Sequence, residues 1–161
     1  MQNFYRLFTA IVLIFTLIHM ANASVKIVDS VKPAAVIVIP ESPLASVSYA
    51  AQELQYHIEQ STGAKLQIVS ENSWNGSGYA ILLGACKASS SIDVSKLPAN
   101  GYILRVINNR LYIIGDDTAG EVLGPYRALH ENYTHVGTLL GVYDLIRNQM
   151  GVKWLWPGKL G

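Results

Sequence analysis

Four groups of residues have types that could do chemistry, and spacing decides most of them. In His130-Glu131-Asn132-Tyr133-Thr134-His135 the histidines are five apart. On a helix that places them roughly 140° apart, whereas a zinc-binding helix needs two histidines four apart on one side. The segment reads as two surface histidines. Asp116-Asp117 is a carboxylate pair after a strand, and glycoside hydrolysis uses two carboxylates flanking one bond. Adjacent residues on extended backbone point to opposite sides, so these two read as turn formers, not as an acid and a base. Cys86 is the only cysteine. No histidine is placed beside it in the sequence to act as its base, so it reads as a small buried thiol. Gly115, Gly120 and Gly124 lack the strand–turn–helix context and the Lys-Ser/Thr of a phosphate loop. No catalytic residue, cofactor or metal site follows from these groups.

Trp154 and Trp156 flank Leu155, with Lys153 before them and Pro157-Gly158 after. Read as a short strand, the segment puts both indoles on one face. Such a pair packs against a following domain or stacks on a sugar, and its place at the end of the chain favours packing. Trp154, Trp156 and Lys153 are therefore the candidate interdomain or sugar-adjacent residues.

The elements around these residues follow from periodicity. Ala34 to Ile39, between Pro33 and Pro40, is a β-branched apolar run that suits a buried strand, with Val25 to Val28 as a short strand ahead of it. Ser42-Pro43 reads as cap and first residue of a helix whose face is Val47, Ala50, Ala51, Leu54 and Ile58, ended by Gly63. From Lys65 the period becomes two, with Leu66 and Ile68 inward. Tyr79 to Leu83 is another apolar strand, stopped by Gly84, and the serine-rich stretch from Ala88 to Asn100 reads as a surface excursion. Tyr102–Ile107 and Leu111–Ile114 flank Asn108-Asn109-Arg110, a hairpin. Thr138 reads as the cap of a second helix running to Met150 before Gly151, in which Gly137 and Gly141 permit close approach to a sheet. This order predicts an α+β layer: a mostly antiparallel β-sheet with two main helices packed on one face.

Composition narrows the function classes. Twelve Lys+Arg against 11 Asp+Glu leave no basic surface for nucleic acid or anionic membrane. One cysteine excludes a disulfide scaffold. Arg6, the apolar run Leu7 to Met20 and the triplet Ala21-Asn22-Ala23 form a signal-peptide pattern. Residues 1–23 are expected to be removed after Ala23, giving a secreted or periplasmic protein; an uncleaved membrane anchor is the alternative, disfavoured because a span needs about 20 apolar residues. Asn75-Gly76-Ser77 and Asn132-Tyr133-Thr134 match the glycosylation triplet, relevant only in a eukaryotic secretory pathway.

Several blocks carry a family resemblance in their order. They are Tyr49-Ala50-Ala51-Gln52-Glu53-Leu54-Gln55-Tyr56-His57-Ile58, Ser61-Thr62-Gly63-Ala64, Ile81-Leu82-Leu83-Gly84, Leu111-Tyr112-Ile113-Ile114-Gly115-Asp116-Asp117, and Gly141-Val142-Tyr143-Asp144 through Trp156-Pro157-Gly158. Residues 24–161 resemble the N-terminal domain that precedes a (β/α)-barrel in α-glucuronidases and in many secreted bacterial proteins. That domain is similar in fold to the second domain of β-N-acetylhexosaminidases. The resemblance implies a carbohydrate-active context, such as hemicellulose or xylan degradation, with the acid and base on a barrel that this chain lacks. Its implied partners are a C-terminal catalytic domain and, through it, a polysaccharide or oligosaccharide. A free-standing carbohydrate- or protein-binding module is the alternative. Lys153 departs from the arginine expected there, and Glu121 to Val136 match the pattern poorly.

Overall fold

The computed structural model describes residues 24–120 and 134–155. Within them, strands β1 (Val28–Asp29) and β2 (Lys32–Pro33) form a small antiparallel strap. β3 (Ala35–Ile39) leads through α1 (Ala45–Thr62) to β4 (Ile68–Ser70). β5 (Tyr79–Leu83) and a single 3₁₀ turn (Lys87–Ser89) precede the hairpin β6 (Tyr102–Ile107) and β7 (Arg110–Gly115). α2 (Gly137–Gln149) completes the order.

The strands β3 to β7 make a five-stranded sheet in the order β4-β3-β5-β7-β6. The predicted α+β class holds, but the mostly antiparallel sheet does not. β3 runs parallel to both β4 and β5, β5 is parallel to β7, and only the β6–β7 pair is antiparallel. The reason lies in the connections. A strand that returns to its own sheet through a helix such as α1 arrives parallel. The chain reverses between β5 and β6 and reverses again at the two-residue turn Asn108-Asn109, so β6 alone runs against the other four strands. Both asparagines adopt positive φ (46° and 65°), as the hairpin reading requires.

Parallel strands are buried on both faces, and this sheet is no exception. On one face α1 contributes Val47, Ala50, Ala51, Leu54 and Ile58, and α2 contributes Leu139, Val142, Leu145 and Ile146, over Ile37, Ile81, Leu83 and Ile113. On the other, Val38, Ala80, Leu82, Tyr112 and Ile114 lie beneath Cys86 and Ile92. The serine-rich stretch is thus more than a surface excursion: it covers the second face.

Helix ends show where local reading stops. α1 begins at Ala45 behind Leu44 with no side-chain cap, so Ser42 is not its cap. Its other end is as expected: Gly63 is left-handed (φ 76°) and its N–H bonds Glu59 O at 2.8 Å. α2 ends before a left-handed Gly151 (φ 71°), with Val152 N–H on Ile146 O at 3.3 Å. Residues 151–155 are irregular, not the strand predicted there.

Candidate functional site

The seam between the two helices gathers the polar aromatic residues. Tyr49, Glu53 and His57 recur every four residues along α1, which stacks them in one stripe. Tyr143 faces them from α2 and donates its hydroxyl to Glu53 Oε2 at 3.1 Å. His57 Nε2 lies 3.9 Å from the same oxygen. Burial, the Glu53 charge and neighbouring Tyr49 push the Tyr143 phenol well above its ordinary range, so it remains a hydrogen-bond donor. Burial and then Glu53 raise Tyr49 as well.

Trp154 closes this seam from beyond α2. Its ring stands edge-on to His57 (centroids 5.4 Å, 85°) and to Tyr143 (5.4 Å, 80°), and His57 is edge-on to Tyr56 at 5.2 Å. T-shaped pairs at this distance add about 0.5–1.5 kcal/mol beyond area burial. The packing leaves Trp154 46% exposed, Tyr56 55% and Leu155 77%, an apolar patch at the C-terminal exit of α2. Lys153 is exposed and lines a shallow cleft with Arg147, Asn148, Trp154 and Leu155. Trp156, predicted to share a face with Trp154, lies outside the described residues, as do His130 and residues 1–23.

The two aspartates after β7 diverge. Asp117 reaches the N-terminus of α2, where its carboxylate accepts the Thr138 N–H (3.0 Å) and the Thr138 hydroxyl. Thr138 Oγ1 in turn accepts the Gly115 N–H at 3.0 Å. Thr138 is therefore not the cap; Asp117 caps the helix from the sheet. Burial raises the Asp117 carboxyl above its usual range and the Asp116 charge adds to this, while the Thr138 hydrogen bonds oppose it. Asp116 turns the other way, accepting the Asn100 N–H at 3.2 Å. It lies 2.6 Å from His135 Nδ1, within ion-pair distance but out of line for a hydrogen bond. The pair ties chain segments together and does not converge on a shared point.

Residues 17–128 match the family described as Glycosyl hydrolase family 67 N-terminus. The chain belongs to this family. The chain is also similar to a solved family GH115 4-O-methyl-α-glucuronidase described as having specificity for decorated arabinogalactans. The TM-score is 0.55 at 20% identity, over 80% of this chain and 15% of that one. At this identity the likeness is one of fold, and the chain spans about 15% of that enzyme's length. No curated protein matches the chain. The domain is an α-glucuronidase-like N-terminal domain, as the sequence blocks imply.

No group of three or more His, Cys, Asp or Glu among the described residues of the family 67 N-terminal domain could hold a metal ion. Cys86 is buried, and burial, reinforced by the Glu71 charge, pushes its thiol up to about 12. A shift of this size cuts the thiolate fraction at neutral pH by about a thousandfold. Cys86 in the folded domain is expected to resist iodoacetamide and to alkylate at an ordinary rate once denatured. Peptide mass spectrometry reads the contrast.

The sequence reading overlooked the Glu53 network. Its signal in the sequence is the four-residue repeat of Tyr49, Glu53 and His57, which puts three polar or aromatic side chains on one stripe of α1.

Proposed function

We propose that this chain is the non-catalytic N-terminal accessory domain of a secreted α-glucuronidase-like glycoside hydrolase acting on hemicellulose or a related polysaccharide. It leans on the catalytic domain through the patch of Trp154, Leu155 and Tyr56. The observation that carries the reading is the placement of that patch. Three large apolar side chains stand exposed on the seam from which the chain leaves α2. Trp154 is held by His57 and Tyr143, so its ring is positioned before any partner arrives. Family membership and the small share of the glucuronidase that the chain spans support the same role. The signal-peptide pattern of residues 1–23 supports secretion.

The active-site acid and base then come from the catalytic domain, because the Glu53 carboxylate is committed to Tyr143 and Asp117 to the helix cap. Two measurements test the reading. Purified 24–161 is expected to release no uronic acid from glucuronoxylan or decorated arabinogalactan; hydrolysis by this chain alone would overturn it. In the full gene product, Trp154→Ala is expected to split one thermal transition into two, or to speed proteolytic release of the domain severalfold. A single unchanged transition and an unchanged release rate would count against docking through Trp154.

The exposed indole and the adjacent Lys153 and Arg147 also favour a second reading, a free-standing carbohydrate-binding module. Retardation of 24–161 on a xylan affinity gel, lost in Trp154→Ala, would replace the packing role with that one.

A further inference from the structure

The chain holds two Asn-Gly steps in opposite environments, Asn75-Gly76 and Asn100-Gly101. We propose that Asn75-Gly76 is a self-modification site, at which the folded chain converts Asn75 to aspartate and isoaspartate with Ser77 as the polarising group.

The step needs only water. The main-chain nitrogen of Gly76 attacks Cγ of Asn75, forming an N–Cγ bond and losing its proton. The Cγ–Nδ2 bond then breaks and ammonia leaves with a proton taken from solvent. One water opens the resulting five-membered imide at either carbonyl, giving aspartate or isoaspartate at position 75. No oxidation or reduction occurs.

The geometry at position 75 favours each part. Asn75 and Ser77 are exposed, so water is available as base and as nucleophile. Apart from its chain neighbours, nothing lies within 4 Å of a Cβ built on Gly76, so no distant part of the fold crowds this turn. Asn75 Oδ1 accepts the Ser77 N–H at 3.0 Å and the Ser77 hydroxyl at 2.7 Å. Two donors sit on the oxygen that becomes negative when the nitrogen adds, as in an oxyanion hole, although solvent weakens them here.

The geometry at position 100 opposes it. Asn100 is half-buried and left-handed (φ 61°). The nitrogen that would attack, Gly101 N, donates to Pro98 O at 2.7 Å, and the Gly101 carbonyl accepts the Asp116 N–H at 2.8 Å. Attack requires those bonds to open, so it waits on local unfolding.

Conversion at 75 also has a structural reach. Arg110 Nη2 donates to Gly76 O at 2.7 Å, and its guanidinium lies 4.8 Å from the Trp74 ring centroid. Trp74 packs against the second face of the sheet. Isoaspartate adds a methylene to the main chain and a negative charge next to the carbonyl that Arg110 holds.

The test follows both positions in one sample. Purified protein expressed without glycosylation is held at mildly alkaline pH and digested in acid. Its peptides are read by mass spectrometry for the amide-to-acid change and for isoaspartate. Folded protein is expected to convert position 75 at least about tenfold faster than position 100, the latter being gated by local opening. In denaturant the two rates are expected to converge, because both are Asn-Gly. Ser77→Ala is expected to slow position 75 by about threefold to tenfold, a solvent-weakened version of losing one oxyanion donor. Equal rates in the folded chain, or an unchanged or faster rate in Ser77→Ala, overturns the proposal.

Discussion

Gly115→Ala is expected to be the most damaging single-methyl change in the domain. A Cβ on Gly115 would fall inside the van der Waals shells of Gly137 C and Thr138 N and 2.5 Å from Gly137 Cα. These are backbone atoms of the first turn of α2, and they cannot swing aside as the end of a side chain can. The helix must lift from β7, and lifting it breaks the Gly115 N–H bond to Thr138 and strains the Asp117 cap. Overpacking costs about 1–3 kcal/mol and the lost buried hydrogen bond about 1–3 more, giving roughly 2–6 kcal/mol in all. That is a large share of the 5–15 kcal/mol by which domains are typically stable. The measurable result is a melting temperature lower by about 10 °C or more. Gly78→Ala is the control. It carries positive φ (74°) with nothing within 4 Å, so it pays about 1–2 kcal/mol of backbone strain and no collision. A Gly115→Ala melt no lower than that of Gly78→Ala would disprove the close-approach account.

That contact explains how far the sequence could be read. Gly137 and Gly141, four apart, announced a helix that lies close on a sheet. Gly115 did not announce its part, because at the end of an apolar strand it reads as the start of a loop. Only the pairing of β7 with α2 shows the need for a residue without a side chain on the sheet side. The cap has the same history. Thr138 is the right type of residue near the right place, but Asp117, remote in sequence, supplies the acceptor. Local patterns were reliable where local forces decide: all five predicted face residues of α1 are buried, Gly63 is left-handed, and the hairpin turns at Asn108-Asn109. Strand direction is set by which strands become neighbours, and the hairpin alone gave a poor guide to it. A better signal was present in the unbroken apolar runs of β3 and β5, which mark strands covered on both faces. The Trp154 segment failed as a strand for a related reason. An alternation over three residues needs a sheet edge to pair with, and the indole packs between the helices instead. Of the candidate site, Trp154 stands out in the sequence by its residue type; the stripe of Tyr49, Glu53 and His57 that seats it does not.

Ile113→Ala is expected to cost about 2–5 kcal/mol, and its partner Gly141 is expected to change that cost in a telling way. Ile113 is fully buried on β7, between Leu83 of β5 and Leu104 of β6. A Cβ on Gly141 would come 2.6 Å from Ile113 Cγ2 and 3.1 Å from Tyr102 Cδ2. Gly141→Ala alone therefore pushes α2 off the sheet, even though alanine inside a helix is favoured over glycine by about 1 kcal/mol. With Ile113 cut back to alanine, Cγ2 is gone and the new methyl enters the space it leaves. The hard clash with Ile113 then disappears and only the tight contact with the Tyr102 ring remains, part of the cavity is filled, and the helical preference for alanine is recovered. The double variant is expected to be more stable than Ile113→Ala alone, with a coupling of about 1–3 kcal/mol in urea unfolding. Additive costs would mean that α2 does not rest on Ile113 through Gly141. The close seating of α2 is also what brings Tyr143 to Glu53 and beneath Trp154, so the same double variant probes the support of the proposed docking patch.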